Sequence, residues 1–302
     1  MDNKKENLLI IASIAFVAIC AVLMVGTLLW EAVKLDRHND LLAQGEGELE
    51  NPRPEILIDY SEFPTIVGDD DREMVLIAEG FFQMGSDEGD PDEAPQHPVF
   101  LSRFYIDKYE VANQDYTRFL KATRSSKPFV PVFDDDPAKL LNPEQAAVGM
   151  TWDSAFAYCR WAGKRLPTEA EWEKAARGDT PRKWPWGDVF DVRNANIKGD
   201  ADGYEYTAPP GRFDHGRSPY GVYDMAGNVT EWVADWYEED WYTSASIQNP
   251  SGPDLGKHRV LRGGSWAESA VNARTTKRFA ARQGRADSII GFRCAKDDHA
   301  QK

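Results

Sequence analysis

Residues 194–204 read Asn-Ala-Asn-Ile-Lys-Gly-Asp-Ala-Asp-Gly-Tyr. Asn196, Asp200 and Asp202 offer hard oxygens, and the two glycines let the backbone wrap. Ca²⁺ takes such ligands together with backbone carbonyls. An ordinary acidic surface loop has the same composition, and spacing alone does not separate the two. A second stretch, residues 220–232, reads Tyr-Gly-Val-Tyr-Asp-Met-Ala-Gly-Asn-Val-Thr-Glu-Trp. There Asn228 suits a left-handed turn, and Glu231 suits a buried hydrogen-bond acceptor beside Trp232. Asn228-Val-Thr230 also fits a glycosylation sequon, but a loop packed in this way is a poor acceptor.

The chain has three cysteines. Cys20 lies in an apolar run. Spacing does not pair Cys159 with Cys294, and two separate buried thiols remain open. His258 and Glu268 are residue types that share a harder metal site. Only one histidine is near, however, and beside Lys257 it reads better as an exposed residue. No Ser-His-Asp arrangement and no phosphate-cradling loop stands out. The acidic runs at 87–93 and 134–136 read as solvated loops.

The formal net charge is -15, from 50 acidic and 35 basic residues. Such a surface repels phosphate backbones, which argues against nucleic acid as a partner. It also repels anionic lipid headgroups, so membrane attachment calls for a spanning segment. Residues 8–30 carry no charge and are long enough to cross a bilayer as a helix. No small-x-small cleavage site ends the run, so a permanent anchor is expected rather than a signal peptide.

The elements that must position these residues follow in order. Residues 1–7 are expected as a short cytoplasmic head, 8–30 as the span, and 31–72 as an acidic, proline-interrupted tether. The domain is expected over 73–297, with a tail at 298–302. Met74–Ala78 and Phe81–Gly85 read as the two strands of a hairpin. Residues 113–123 read as a helix with Asn113 as N-cap. Residues 151–162 read as another, with Trp152, Ala155, Phe156, Cys159 and Ala162 at helical spacing. Thr168 and Glu171 form a capping-box pattern for a third helix. Gly263 and Gly264 read as a tight loop beside a strand that begins at His258. Helices early and short strands with long loops later indicate an α+β fold.

Three motifs carry a family resemblance. Residues 260–266 read Val-Leu-Arg-Gly-Gly-Ser-Trp, and residues 291–294 read Gly-Phe-Arg-Cys. Residues 161–177, Trp-Ala-Gly-Lys-Arg-Leu-Pro-Thr-Glu-Ala-Glu-Trp-Glu-Lys-Ala-Ala-Arg, give the densest match. Together they resemble the formylglycine-generating enzyme family, the sulfatase-modifying factors, over roughly residues 74–295. The resemblance implies the formylglycine-generating-enzyme fold, irregular and C-type-lectin-like, here behind one transmembrane helix.

The same resemblance implies a set of sites. Family calcium positions fall on Asn196, Ile197, Asp202 and Tyr204, and a second set on Gly227, Val229 and Glu231. Cys159 and Cys294 match a family disulfide, which would close a loop worth about 4–5 kcal/mol in chain entropy and requires an oxidising compartment. A second family disulfide has Ala176 and Arg278 at its positions and is absent. Active members oxidise a substrate cysteine to an aldehyde with two copper-binding cysteines. Their positions are Glu268 and Ala273 here, in a groove with Ser265, Trp266 and Arg282. Copper(I) selects thiolates, so calcium is expected as cofactor and copper is not.

Two functions are therefore weighed. One is a non-catalytic, single-pass module in the cell inner membrane, its domain on the periplasmic or extracytoplasmic side. It would act as an accessory or protein-binding subunit among other membrane or periplasmic proteins. The other is a divergent oxidase acting on protein cysteine.

Overall fold

The computed structural model describes residues 63–126 and 137–298. The expected head, membrane span and acidic run at 134–136 lie outside these residues, as do most of the tether and all but the first residue of the tail. Among the described residues no helix is long and apolar enough to cross a membrane.

The first sheet has the order β1-β2-β5-β10, from Thr65–Val67, Glu73–Ile77, Phe104–Asp107 and Ala295–Asp297. All its pairings are antiparallel. β3 (Gly80–Met84) and β4 (His97–Leu101) form a two-stranded sheet. The third sheet has the order β8-β7-β6-β9, from Phe279–Ala281, Arg259–Arg262, Thr230–Trp236 and Ile290–Phe292. Its β6–β9 pair is parallel, with Glu231 opposite Gly291.

Two expectations need correction in this part of the chain. β2 and β3 do not form a hairpin: β2 pairs with β1 and β5, and β3 with β4. The ammonium of Lys174 takes the carbonyls of Ala78 and Gly80, at 2.8 and 3.0 Å, and Gly80 turns at φ +144°. The turn's acceptors are thus spent on a helix, and the strands part. The packed domain also begins earlier than residue 73. β1 is bonded into the sheet, and the buried Asp70 carboxylate accepts from Lys164 Nζ at 2.6 Å.

Three helices pack on these sheets: α1 (Asn113–Thr123), α2 (Trp152–Trp161) and α3 (Glu169–Arg177). Asn113 is not the cap of α1. Its side-chain amide donates to the carbonyls of Leu140 and Asn142, and Ala112 holds the cap position. On α2, Phe156 lies on the open flank, stacked on Trp152, and Tyr158 fills the core instead. The α3 capping box forms as expected: Thr168 Oγ1 accepts from Glu171 N at 3.2 Å, and Glu171 Oε2 accepts from Thr168 N at 2.8 Å.

One core gathers Val75, Ile77, Phe82, Phe104, Trp172 and Val233 between α3 and the sheets. A second gathers Tyr116, Phe119, Tyr158, Trp232 and Phe292 around α1 and α2. The Cys159–Cys294 disulfide sits in this second core, with Cα atoms 5.6 Å apart. It ties α2 to the link between β9 and β10. Cys294 is fixed further by Asp107, whose carboxylate accepts its N–H at 3.0 Å.

The acidic run at 87–93 is solvated at its start, where Asp87 and Glu88 are exposed, and docked at its end. Lys277 pairs with Asp90, Arg274 with Glu93, and Thr276 Oγ1 donates to Glu93 at 2.6 Å. Glu93 is fully buried. These three basic and hydroxyl partners come from residues 274–277, which no local pattern in the acidic run could announce.

Candidate functional site

Asn228 is the joint on which the site is built. Its φ of +61° is the left-handed turn expected for it. Its side-chain oxygen accepts from Ala208 N at 2.8 Å and from Asn196 Nδ2 at 3.0 Å. Its side-chain nitrogen donates to Glu110 in a short contact. Its backbone N–H donates to the Asn196 carbonyl at 2.7 Å, and its carbonyl accepts from Trp266 N at 2.9 Å. One residue thus binds the 194–204 loop, Ala208, Glu110 and the 263–268 loop. Gly227 makes this closeness possible, because a Cβ there would sit 2.2 Å from the Asn196 carbonyl oxygen.

The first calcium set meets a simple test of fit. Asp202 accepts from Ile197 N and Tyr204 N, both at 2.9 Å, which folds the loop around its carboxylate. Burial pushes the Asp202 pKa up. Asn196 Nδ2 is satisfied by Tyr206 O at 2.8 Å and by Asn228. Asn196 Oδ1 is buried and, among the described residues, has no hydrogen-bond partner. A buried amide oxygen left this way is costly unless a cation or water meets it. Asn196, Asp202 and the carbonyls of Ile197 and Tyr204 therefore fit a hard cation. Asp200 is exposed, and its carbonyl accepts from Gly203 N at 3.0 Å.

The second set does not fit in the same way. Arg293 Nε meets both Glu231 oxygens, at 3.0 and 2.8 Å, and its Nη2 meets Oε1 at 2.8 Å. Trp172 Nε1 takes Oε2 at 2.9 Å. The carboxylate is committed to a guanidinium and an indole, so Glu231 is the buried acceptor that its place beside Trp232 suggested. Val229 contributes its N–H to Glu110 at 3.1 Å, and Gly227 its N–H to the Gly263 carbonyl at 2.8 Å. Glu110 and Asp224 are buried near the same arginine. Burial, then the charges of Asp224 and Glu231, lifts Glu110 well above the usual carboxylate range. Burial raises Asp224 to about 6.

The groove forms around Gly263 and Gly264, at φ +94° and +70°. A side chain on Gly264 would meet Asn272 O at 2.7 Å, so the loop lies directly against residues 272–273. Ser265 Oγ lies 3.5 Å from Glu268 Oε2. Trp266 Nε1 donates to Ser288 O at 3.2 Å, and its ring meets Tyr206 edge-on at 5.1 Å. Ala273 is buried among Ala195, Ile197 and Ala226, with Trp184, Trp186 and Phe190 packed against them. Arg282 does not join this group. It is exposed just past β8, and among the described residues no hydrogen bond or ion pair links its side chain to the others.

No thiol is available in this groove. Both cysteines of the described residues are consumed in one disulfide. Ala176 and Arg278 are both buried, and Arg278 Nε donates to Glu169 at 2.8 Å. Sequence reasoning missed Glu110 and Thr230. Thr230 has a signal in its place inside the 220–232 stretch, and nothing near Glu110 in sequence marks it.

The family described as sulfatase-modifying factor enzyme 1-like domain matches residues 62–298. The chain is 36% identical over 268 residues to a protein of Chlamydia pneumoniae named serine/threonine-protein kinase pkn1. That match covers 83% of this chain but spans only 40% of the kinase. It is 35% identical to the formylglycine-generating enzyme of Thermomonospora curvata, over 74% of this chain and 93% of that one. It is 31% identical to a Mus musculus protein named inactive C-alpha-formylglycine-generating enzyme 2, over 74% of this chain and 86% of the other. Among solved structures, PvdO from Pseudomonas aeruginosa superposes with a TM-score of 0.67 at 30% identity, covering 78% of this chain and 98% of that one.

Proposed function

We propose that this chain, which belongs to the sulfatase-modifying factor enzyme 1-like domain family, is a non-catalytic member that serves as a membrane-anchored accessory or protein-binding subunit. One observation carries this reading. The described domain holds two cysteines, and both are locked together 5.6 Å apart in Cα position. At the positions that the family resemblance assigns to the copper thiolates, this chain has Glu268 and Ala273. A carboxylate and a methyl group cannot supply the soft ligands that copper(I) selects. The similarity to a relative named inactive supports the same reading. So does the uncharged stretch at 8–30, which suits a span that holds the domain at an envelope membrane. The kinase relatives share too little of their length for their activity to carry over.

Calcium belongs to this reading as a structural cofactor. Asn196, Asp202 and the carbonyls of Ile197 and Tyr204 would hold it, and it would brace the loop against Asn228. A second reading, a divergent oxidase of protein cysteine, is favoured by the near-full-length similarity to the Thermomonospora enzyme. Incubation of the full chain with a cysteine-bearing sulfatase peptide decides between them. Mass spectrometry should find the cysteine unchanged, with or without added copper. Aldehyde formation would overturn the non-catalytic reading.

A further inference from the structure

Independently of whether the chain catalyses anything, we propose that the hollow between residues 139–145 and 203–207 binds a neutral sugar. The hollow measures about 380 Å³, within the range of small-molecule sites, roughly 300–1,000 Å³. Gln145 holds its two sides together, since its Nε2 donates to Thr207 O at 2.7 Å. The other half of that amide, Oε1, is buried and has no hydrogen-bond partner among the described residues. Neither has the hydroxyl of Thr207, which also lines the hollow and is 0% exposed. Asn142 lies at the exposed rim. Its amide oxygen accepts from Glu144 N at 3.1 Å, so it turns a nitrogen donor to a ligand. The walls are already fixed. Asp202 accepts from Tyr204 N at 2.9 Å, and Tyr206 O accepts from Asn196 Nδ2 at 2.8 Å. The Tyr204 ring meets Phe213 edge-on at 6.1 Å, as the Tyr206 ring meets Trp266.

The polar groups select the class of ligand. Gln145 Oε1 calls for a donor, Asn142 Nδ2 for an acceptor, and the Thr207 hydroxyl serves as either. A carboxylate or a phosphate only accepts, and it leaves the Gln145 oxygen unmet. An ammonium only donates, and it would face Lys139 on the same lining. Hydroxyl groups do both, so a ligand with several of them meets all three residues. Charge points the same way, because Lys139 and Glu205 balance each other around the hollow. A sugar ring also uses the walls, packing its C–H edges against Tyr204 and Tyr206 while its hydroxyls reach the amides. The ring is rigid and so are the walls, which keeps the ordering cost of binding low. A buried oxygen without a partner is costly in the free protein, and the sugar relieves that cost.

The test uses the full chain in a detergent without a sugar headgroup. Methyl glucoside, methyl mannoside and methyl N-acetylglucosaminide are titrated by isothermal calorimetry. A methyl glucuronide and a methyl glucosaminide, which carry a carboxylate and an ammonium, are titrated beside them. At least one neutral glycoside should bind saturably and more tightly than both charged ones. Thr207→Val keeps the shape of a side chain whose hydroxyl bonds nothing among the described residues. Its melting temperature should therefore hold while affinity falls about tenfold, the weight of one hydrogen bond. Asn142→Ala, at the exposed rim, should weaken binding to a similar degree. Tighter binding of an oligosaccharide of the same unit marks a glycan as the source, and equal affinity marks the free sugar; both support the site. Absence of saturable binding by every neutral glycoside overturns it. So does a charged probe that binds as tightly as the neutral ones, or an affinity that both variants leave unchanged. Aldehyde formation is read separately, so the non-catalytic reading stands or falls on its own.

Discussion

Glu173 Oε2 and Arg262 Nη2 lie 2.6 Å apart, and neither side chain touches solvent. Glu173 Oε1 accepts from Gly85 N and from Arg177 Nη1, both at 2.8 Å. Arg262 also donates to Glu169 and to the carbonyls of Thr275 and Thr276. This pair therefore joins α3 to β7 and to the end of β3. Truncating Glu173 leaves Arg262 buried with one carboxylate, Glu169, in place of two, and takes from Arg177 and Gly85 N their shared acceptor. Glu173→Ala should cost about 3–5 kcal/mol. Replacing both with apolar residues, Glu173→Leu with Arg262→Met, should recover much of that loss. Chemical denaturation of the two variants checks the order.

Reduction of the Cys159–Cys294 bridge frees a separation of 135 residues. Loop entropy alone puts the loss at about 4–5 kcal/mol. Cys294→Ala should lower the melting temperature about as far as reductant lowers that of the unmodified chain, and reductant should then add nothing. A scan with and without dithiothreitol makes the comparison.

Calcium removal should loosen the 194–204 loop. Excess chelator is expected to lower the melting temperature, and saturating calcium to raise it by the equivalent of about 2.7 kcal/mol at a hundred times Kd. Asp202→Asn should flatten the calcium response, while Asp200→Asn, on the exposed side of the loop, should leave most of it. Glu231→Gln should destabilise through Arg293 and keep the calcium response.

Asp235 gives a pH dependence with a fixed sign. It is buried and accepts from Glu169 N at 2.8 Å. Burial, and then the charge of Glu169, lifts its pKa well above the usual carboxylate range. The folded state therefore holds a proton that the unfolded state has already released. Its contribution to stability is full below the unfolded pKa and is lost as pH rises through the folded one. The slope approaches about 1.4 kcal/mol per pH unit in that window. Asp235→Asn should abolish this fall and make the protein more stable at neutral pH. Melting temperatures from acid to neutral pH will show it.

Local signals were legible where one or two residues settle the backbone. Thr168 and Glu171 marked a helix start because each satisfies the other's amide. Gly263 and Gly264 marked a turn because their φ values are closed to other residues. The disulfide was legible only through family resemblance, since a separation of 135 residues hides any pairing. What stayed hidden depends on distant partners. Lys174 parts β2 from β3 across more than ninety residues. Arg274 and Lys277 draw in an acidic turn that looked solvated. Glu231 was legible as a buried acceptor, but its partner Arg293 was not, since nothing near it in sequence announces that arginine.

β10 adds the last strand to a sheet whose other members come from residues 65–107. The ribosome releases that strand nearly two hundred residues after its neighbour β5. Until then β5 shows an unpaired edge, and Cys159 waits with a reactive thiol. A domain wired in this order is exposed to wrong pairing throughout its synthesis. It should depend on a holding chaperone and a thiol oxidant at its destination, and a stop codon just before Cys294 should leave no partly working product.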